Sequence, residues 1–492
     1  MKSIRILLTV VATALAAIAL TIPAPSFAAN LTNLAPSAVA NLTNYGATNG
    51  DIASLAVSDQ TGTQDTPADY VQLRPGTKLP YRADFTFTLP NDGSIHRYAV
   101  QQLTIQANLR VDTARQSWTF LLYNTRTKKW TAVGKTVVIT AGTWTPASLI
   151  LKYNGVLSDF VDPTTRNILV ELQAASVKYT ASLDFLAVAV TSPDVVAAPT
   201  LPGLPSGCTL FPVDNVWNAR IDMLPVARNS AAFVAALGKT TGLHPDFDAI
   251  GDGIPYNVSD GSQYVNFTTD MFDYGDESDS GHYPITISSL QENGGDGHVL
   301  AANSSDCHLY ELYDARNNGT TWTAAGSGAI WDLSSNAMRP LGWTSADAAG
   351  LPILPGLARY DEVAAGHINH ALRFTANRIR DAYIWPASHH ATCHATATNP
   401  SVPPMGQRFR LKASYQIPDS FDTQTKVVLT ALKEYGMILA DCGSNWYISG
   451  EPSLSWNDDA LVNQLRQVPG SQFEAVDESS LQVSADSYQI TP

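Results

Sequence analysis

From Asn30 to Ser192 apolar and polar residues alternate in short runs, VQLRP, ADFTFTL, QQLTIQANLRV, SWTFLLYN, KTVVIT, RNILVELQA and ASLDFLAVAV, separated by Gly, Pro, Asn and Asp. A period of two places successive side chains on opposite faces of a strand, so each run has one face for a core and one for solvent. Many such runs in close succession predict an antiparallel β-sandwich. The rest of the chain has the same habit, and with 45% apolar but only 15% charged residues, 32 Gly and 29 Pro, the whole reads as all-β dominated. At 492 residues it exceeds one ordinary core, so more than one domain is expected.

Lys2 and Arg5 precede an apolar run from Ile6 to Leu20, followed by small residues near Ala28 and Ala29. Residues 1–29 are therefore expected to be a signal peptide, making the mature protein secreted and free of the membrane. The sandwich follows over 30–190, a proline-rich linker over 191–207, a β-rich domain over 208–465, and an acidic, flexible tail over 466–492. In the second domain a few helices are expected at the periphery, the clearest over 422–435 with Asp422 as its cap and Gly436 as its stop. A jelly-roll-like sandwich is the architecture this pattern suggests.

Charge narrows the function. Residues 30–200 carry 13 Lys or Arg against 12 Asp or Glu, whereas residues 201–492 carry 15 against 32, a net of −17. An acidic domain is a poor partner for nucleic acid, which needs cations to displace its counterions. All four cysteines lie in the second half, without CxxC spacing; in an oxidising compartment they are expected to pair as Cys208–Cys307 and Cys393–Cys442.

Several phrases of the second half, DNVWNARIDMLPV, GLHPDF, CHLYELYDA, GSGAIWDL, AAGLPILPGL, AAGHINHALRF, PPMGQRFRLK and KEYGMILAD, resemble those shared by a widespread family of secreted, uncharacterised bacterial proteins. That resemblance implies export and carries no catalytic assignment. In layout the first domain is similar to the carbohydrate-binding sandwiches appended to secreted glycan-active enzymes, where Tyr123, Trp130 and Trp144 would be the stacking candidates.

The leading expectation is a polysaccharide hydrolase using paired carboxylates. In HLYELYD, Glu311 shares a strand face with Leu309 and Tyr313; desolvation there would raise its pKa and equip it as an acid. Asp246, held in the HPD turn, is the preferred base or nucleophile, with Asp222 and Asp314 as alternatives. His370 falls in an apolar row of the stretch 367–374 and is the third catalytic candidate. Arg408, Arg373 and Tyr313 are expected to bind substrate, and Trp217, Trp322 and Trp385 to stack on sugar rings. A uronate lyase using His370 and Arg408 is the rival chemistry, and a non-catalytic glycan-binding protein the rival class. Asp273, Asp276 and Asp279 offer oxygen ligands for calcium, the one cofactor the pattern offers. The expected partner is a polysaccharide or cell-surface glycan, bound by a monomer. No GxSxG or HExxH motif is present, and His389, His390 and His394 lie beside Cys393.

Overall fold

A computed structural model describes residues 30–491 apart from 58–69, 91–94, 96, 98–99, 112–115, 135–136, 154, 178–179, 193–197, 249–251, 392 and 394–398. The expected signal peptide, His394 and part of the linker lie outside the described residues. The protein is β-dominated, as the alternation predicts, with 37% strand and 14% helix.

The first half is two antiparallel six-stranded sheets. One runs in the order Thr145–Ile150, Gln102–Val111, Ala181–Ser192, Val71–Pro75, Gly46–Asn49, with Asn30–Leu34 added to Ala181–Ser192. The other runs Ala38–Asn41, Arg82–Thr88, Asn167–Ala174, Gln116–Asn124, Lys129–Ala132, with Val137–Ile139 added to Gln116–Asn124. Trp118, Phe85, Phe87, Phe120, Ile105 and Leu183 form the buried layer between them. Each occupies an alternate, apolar position of its run, which is why the sequence pattern finds these strands.

In the second half, in chain order, helix α1 spans Ser230–Leu237, β1 His244–Asp246, β2 Tyr256–Ser259, β3 Val299–Asn303, β4 His308–Tyr313, β5 Ser327–Asp332, α2 Tyr360–Ala365, β6 Leu372–Ala376, β7 Arg408–Leu411, α3 Thr423–Glu434, β8 Met437–Cys442, β9 Tyr447–Ser449 and β10 Phe473–Ala475. Strands β2-β3-β4-β5 make one sheet and β1-β9-β6-β8-β7-β10 the other. Both are mixed: β1 is parallel to β9, β6 to β8 and β2 to β3. The return from β6 to β8 passes through β7 and α3, so a helix lies in the crossover, as parallel neighbours require.

Helix α3 obeys its local code. Asp422 accepts a bond from the Gln424 amide at 2.9 Å, Val428, Leu429 and Leu432 are buried, and Gly436 takes φ 69° where a Cβ would stand 2.3 Å from the Phe409 carbonyl oxygen. Helix α2 begins at Tyr360 with Asp361 in its first turn, and Gly366 closes it in the left-handed region. His367 to His370 are not a strand; β6 begins at Leu372 and puts Leu372 and Phe374 into the core.

The tail is not flexible. Phe473–Ala475 pairs with β7, and Val476, Leu481, Tyr488 and Ile490 are buried in the main core, so the segment past Val468 completes the fold. Its apolar residues are too widely spaced to show as a periodic run, which is why composition alone misplaces it. Past residue 198 the proline-rich segment is likewise held, with Leu201 buried in the same core. Both expected disulfides are formed, with Cα–Cα distances of 5.7 Å each.

Arg408 and Arg410 do not line a groove. Arg408 is fully buried and donates to the carbonyls of Tyr435, Val216 and Ala219 at 2.7–2.9 Å and to Glu478 at 2.8 Å. Arg410 donates to those of Ile221, Asp222 and Leu224 and to Glu474. The segment 216–224 and the tail are thus fastened onto β7. Replacing Arg408 with Ala leaves Glu478 buried without its cation, so R408A is expected to lose about 3–5 kcal/mol of unfolding free energy in urea titrations; a loss under 1 kcal/mol would show that the tail is held by its apolar contacts alone.

Candidate functional site

The polar face of the larger sheet gathers side chains from four adjacent strands. Because β6 has Leu372 and Phe374 inward, Arg373 and Thr375 point the other way. Asp246 of β1 is in register with Ser449 of β9, and Asp441 ends β8 on the same side. Together with the turn 292–298 these residues wall a cavity of about 300 Å³, lined by Asp246, Asp252, Glu292, Asp296, His298, Arg373, Asp441 and Tyr447. A second cavity, of about 340 Å³, has Tyr274, Glu277, Tyr313, Ser327, Asp347 and His389 in its wall and shares Asp296, Asp441 and Cys442 with the first. The two form one cleft with Asp441 at their junction.

Arg373 is the hub of this cleft. It is 4% exposed, and its Nε and Nη2 donate to the two oxygens of Asp347 at 2.8 and 3.0 Å. Nη2 also donates to Asp441 Oδ2 at 3.0 Å, and Nη1 to Ser449 Oγ at 2.6 Å. Asp347 arrives from the TSADAAGLP loop, folded by Ser345, whose hydroxyl donates to the Leu351 carbonyl at 2.6 Å and accepts from the Asp347 amide at 2.9 Å. Two carboxylates therefore share one guanidinium. Burial first, and then the charge of Asp347, push the Asp441 carboxyl well above the usual range, with Arg373 and His298 opposing. Asp246 is also pushed up, chiefly by burial, with His244 opposing.

The turn over the cleft is closed by an ion pair. His298 Nδ1 lies 2.5 Å from Glu292 Oε2, and its Nε2 lies 3.0 Å from the Ala346 carbonyl. A carbonyl only accepts, so Nε2 carries a proton; a second proton sits between Nδ1 and the carboxylate. Burial opposes the charge on His298, yet the bond to Glu292 outweighs it and raises the imidazole, while His298 correspondingly lowers Glu292.

Of the residues expected from sequence, Asp246, Arg373 and Tyr313 meet in this cleft. Glu311 does not. It is 0% exposed, and accepts from the Ile353 and Leu354 amides at 2.9–3.1 Å and from Trp331 Nε1 at 3.2 Å. Burial raises it to about 7, as expected from sequence, but it fastens the 353–354 turn and lines neither cavity of the cleft. His370, 1% exposed, lies 2.9 Å from Glu362 and 2.8 Å from the Ala371 carbonyl, a bridge between α2 and the start of β6. Trp217 and Trp322 are buried, so neither presents a sugar platform, and Trp385 is half-buried with its Nε1 on the Ser487 carbonyl and lines neither cavity of the cleft. Asp222 is paired with Arg220.

Two of the three calcium candidates are neutralised by cations: Asp273 lies 2.5 Å from Arg316 and Asp279 is bonded to Arg339, while Asp276 is exposed. Among the described residues no three His, Cys, Asp or Glu side chains are grouped to hold a metal ion. His389 donates to the Ala348 carbonyl at 2.7 Å and His390 pairs with Asp381 at 2.7 Å.

Sequence reasoning missed Asp441, Asp296, Glu292, His298 and Asp347. One signal for Asp441 was present: MILA is an apolar strand following a capped helix, and Asp441 stands at its carboxyl end, where sheets with helical crossovers place ligand-binding groups.

Residues 55–185, within the sandwich, match the family model described as an N-terminal glycosyl-hydrolase-114-associated domain. Among solved structures the chain is similar to the CBM22-1 xylan-binding domain from Paenibacillus barcinonensis Xyn10C, at 11% identity and a TM-score of 0.20 over 32% of this chain and 85% of that one. It is similar to the CBM22-1 and GH10 modules of Clostridium thermocellum endo-1,4-beta-D-xylanase 10B complexed with xylohexaose, at 11% and 0.21 over 48% and 33%. A mutant of a carbohydrate binding module family 29 gives 10% and 0.21 over 33% and 92%. No curated protein matches the sequence.

The contrast between Glu311 and the cleft gives a stability test. Glu311 has a folded pKa above its unfolded value, so between about 4.5 and 7 the folded state holds the extra proton and stability contributed at this site falls as pH rises. Glu311→Gln cannot titrate. Its stability relative to wild type is expected to improve by up to about 3 kcal/mol between pH 4.5 and 7.5, read from paired unfolding curves; a gap independent of pH would mean the carboxyl is not raised.

Proposed function

We propose that the protein is an exported glycan-active hydrolase whose chemistry lies in the Arg373 cleft, with Asp441 as proton donor and Asp246 as the opposing base. The observation that carries this reading is the place of Asp441, buried beside Asp347 at the point where both cavities meet, where burial and the charge of Asp347 favour a proton on it although Arg373 opposes. A neutral carboxyl in an open, polar cleft is equipped to protonate a glycosidic oxygen. Asp246 sits three strand spacings away across β9 and β6, roughly 14 Å between backbones, too far for direct attack at a bond that Asp441 protonates, so Asp246 would act as a base through water. The match of residues 55–185 to a glycosyl-hydrolase-associated model supports a glycan as partner. Export is supported by the two disulfides; no helix among the described residues is long and apolar enough to cross a membrane.

The uronate-lyase reading is weaker. Arg408 and His370 both lie outside the cleft, and a wall that includes Asp246, Asp252, Glu277 and Asp296 would repel an anionic sugar.

The test is a glycan panel assayed for reducing ends and for the ultraviolet absorbance of unsaturated ends. Reducing ends without absorbance are expected. Asp441→Asn and Asp246→Asn should each lower turnover by about 10²–10⁴-fold, and wild-type rate should fall as pH rises through the elevated pKa of Asp441. Full activity in Asp441→Asn, or no cleavage of any glycan, would sink the proposal.

A further inference from the structure

The outward face of the second sandwich sheet carries an array that the cleft does not use. Strand register aligns two rows across it. Asp84, Glu171, Leu121 and Ala132 are successive neighbours in one row, and Tyr123 and Trp130 are directly paired beside it. Glu171 is the anomaly. It stands on the outward side of its strand, yet is 0% exposed, because the Arg82 guanidinium and the Gln173 amide both bond to it and close over it. Ordering two long polar side chains around a buried carboxylate fixes their remaining donors and acceptors at the surface. The Asp84 carboxyl, beside it, is pushed up to about 6 by burial first and then by Glu171.

At the other end of the array Tyr123 and Trp130 meet edge to face, with centroids 5.2 Å apart, and both remain partly exposed. Rings of this kind offer apolar area that can lie against the C–H face of a sugar. Between the polar and aromatic ends lie the half-buried Leu121 and Leu169. The row crosses four strands, roughly 14 Å at the usual strand spacing, which is long enough for more than one linked sugar ring.

We propose that this face is a second glycan-binding site that holds a neutral oligosaccharide across the strands, Tyr123 and Trp130 stacking on sugar rings while Arg82, Asp84 and Gln173 bond their hydroxyls. Glu171 acts as a positioning residue. The assignment rests on the reading of the protein as glycan-active but not on the chemistry of the cleft. The chemistry of the face selects the occupant: its guanidinium is already bonded to Glu171 and so draws no polyanion, whereas hydroxyls are both donors and acceptors and can bond to Arg82, Asp84 and Gln173 alike.

The experiment is native affinity electrophoresis of the mature chain through gels containing soluble xylan, glucomannan, mixed-linkage glucan or galactan, with polygalacturonate as the anionic comparison. Wild type should be retarded by at least one neutral glycan. Trp130→Ala and Tyr123→Ala should each weaken that retardation tenfold or more, and Gln173→Ala should do so with the stacking pair intact. Cleavage of short soluble oligosaccharides, where present, should be unchanged in Trp130→Ala, which also reports that the variant is folded. No retardation by any neutral glycan, retardation by polygalacturonate alone, or retardation indifferent to Trp130 and Tyr123 would overturn the site. Retardation lost in Trp130→Ala, in a protein that cleaves no glycan, would uphold this site and refute the hydrolase.

Discussion

The cleft depends on one buried guanidinium with more carboxylates than it can neutralise. Arg373 is among the few cations in an acidic half-chain, and it is placed at the centre of the larger sheet, where each of its hydrogen bonds pulls in a different part of the chain: Asp347 from the 344–351 loop, Asp441 from β8 and Ser449 from β9. Removing it would strand Asp347, which is 0% exposed, without its counter-ion. The same bonds that hold the loops together bring Asp347 beside Asp441, whose carboxyl is raised first by burial and then by that charge, with Arg373 opposing. Architecture and chemistry here are one electrostatic arrangement.

A raised carboxyl pKa is not by itself a mark of catalysis. Glu311 and Asp441 are both elevated, both chiefly by burial, and both stand near Asp347. What separates them is access. Glu311 spends its lone pairs on two backbone amides and an indole, whereas Asp441 reaches the wall shared by two cavities. Burial explains the shift in each case, and the cavity decides which shift can be used.

The fold was legible where the signal is local. Period-two runs located the sandwich strands, Asp422 and Gly436 bounded α3, and GHVLAAN with HLYELYDA gave the β3–β4 hairpin. Information carried by long-range contact was not legible. The stretch 367–374 could be divided into two faces, but nothing local told which was inward, and the apolar row proved to be core while Arg373 on the other row became the hub of the cleft. Arg408 and Arg410 were readable as one face of a strand, yet that face is covered by residues 216–224, distant in sequence. The tail was misjudged for the same reason: Leu481, Tyr488 and Ile490 are buried by partners that no window of sequence contains.

The wall of the cleft has its own pH limits, and they follow from the signs of two shifts. His298 is raised, so the stability it contributes is fully present below its unfolded pKa near 6.5 and is lost as pH rises through the higher folded value. Glu292 is lowered, so its contribution is present above its unfolded value near 4.5 and is lost as pH falls through the lower folded one. Between those limits the pair closes the 292–298 turn, with His298 also donating to the Ala346 carbonyl one residue from Asp347. The turn bearing Asp296 is thus tied through His298 to the loop that brings Asp347 to Arg373. Asp441, protonated over part of the same range, loses its proton toward the alkaline side, where His298 also loses its charge and with it one of the groups opposing the rise in Asp441. Loss of the imidazolium charge would therefore raise Asp441 further, so a proton on either group disfavours one on the other, and the acidic side of neutrality is where an intact wall and a protonated Asp441 coincide.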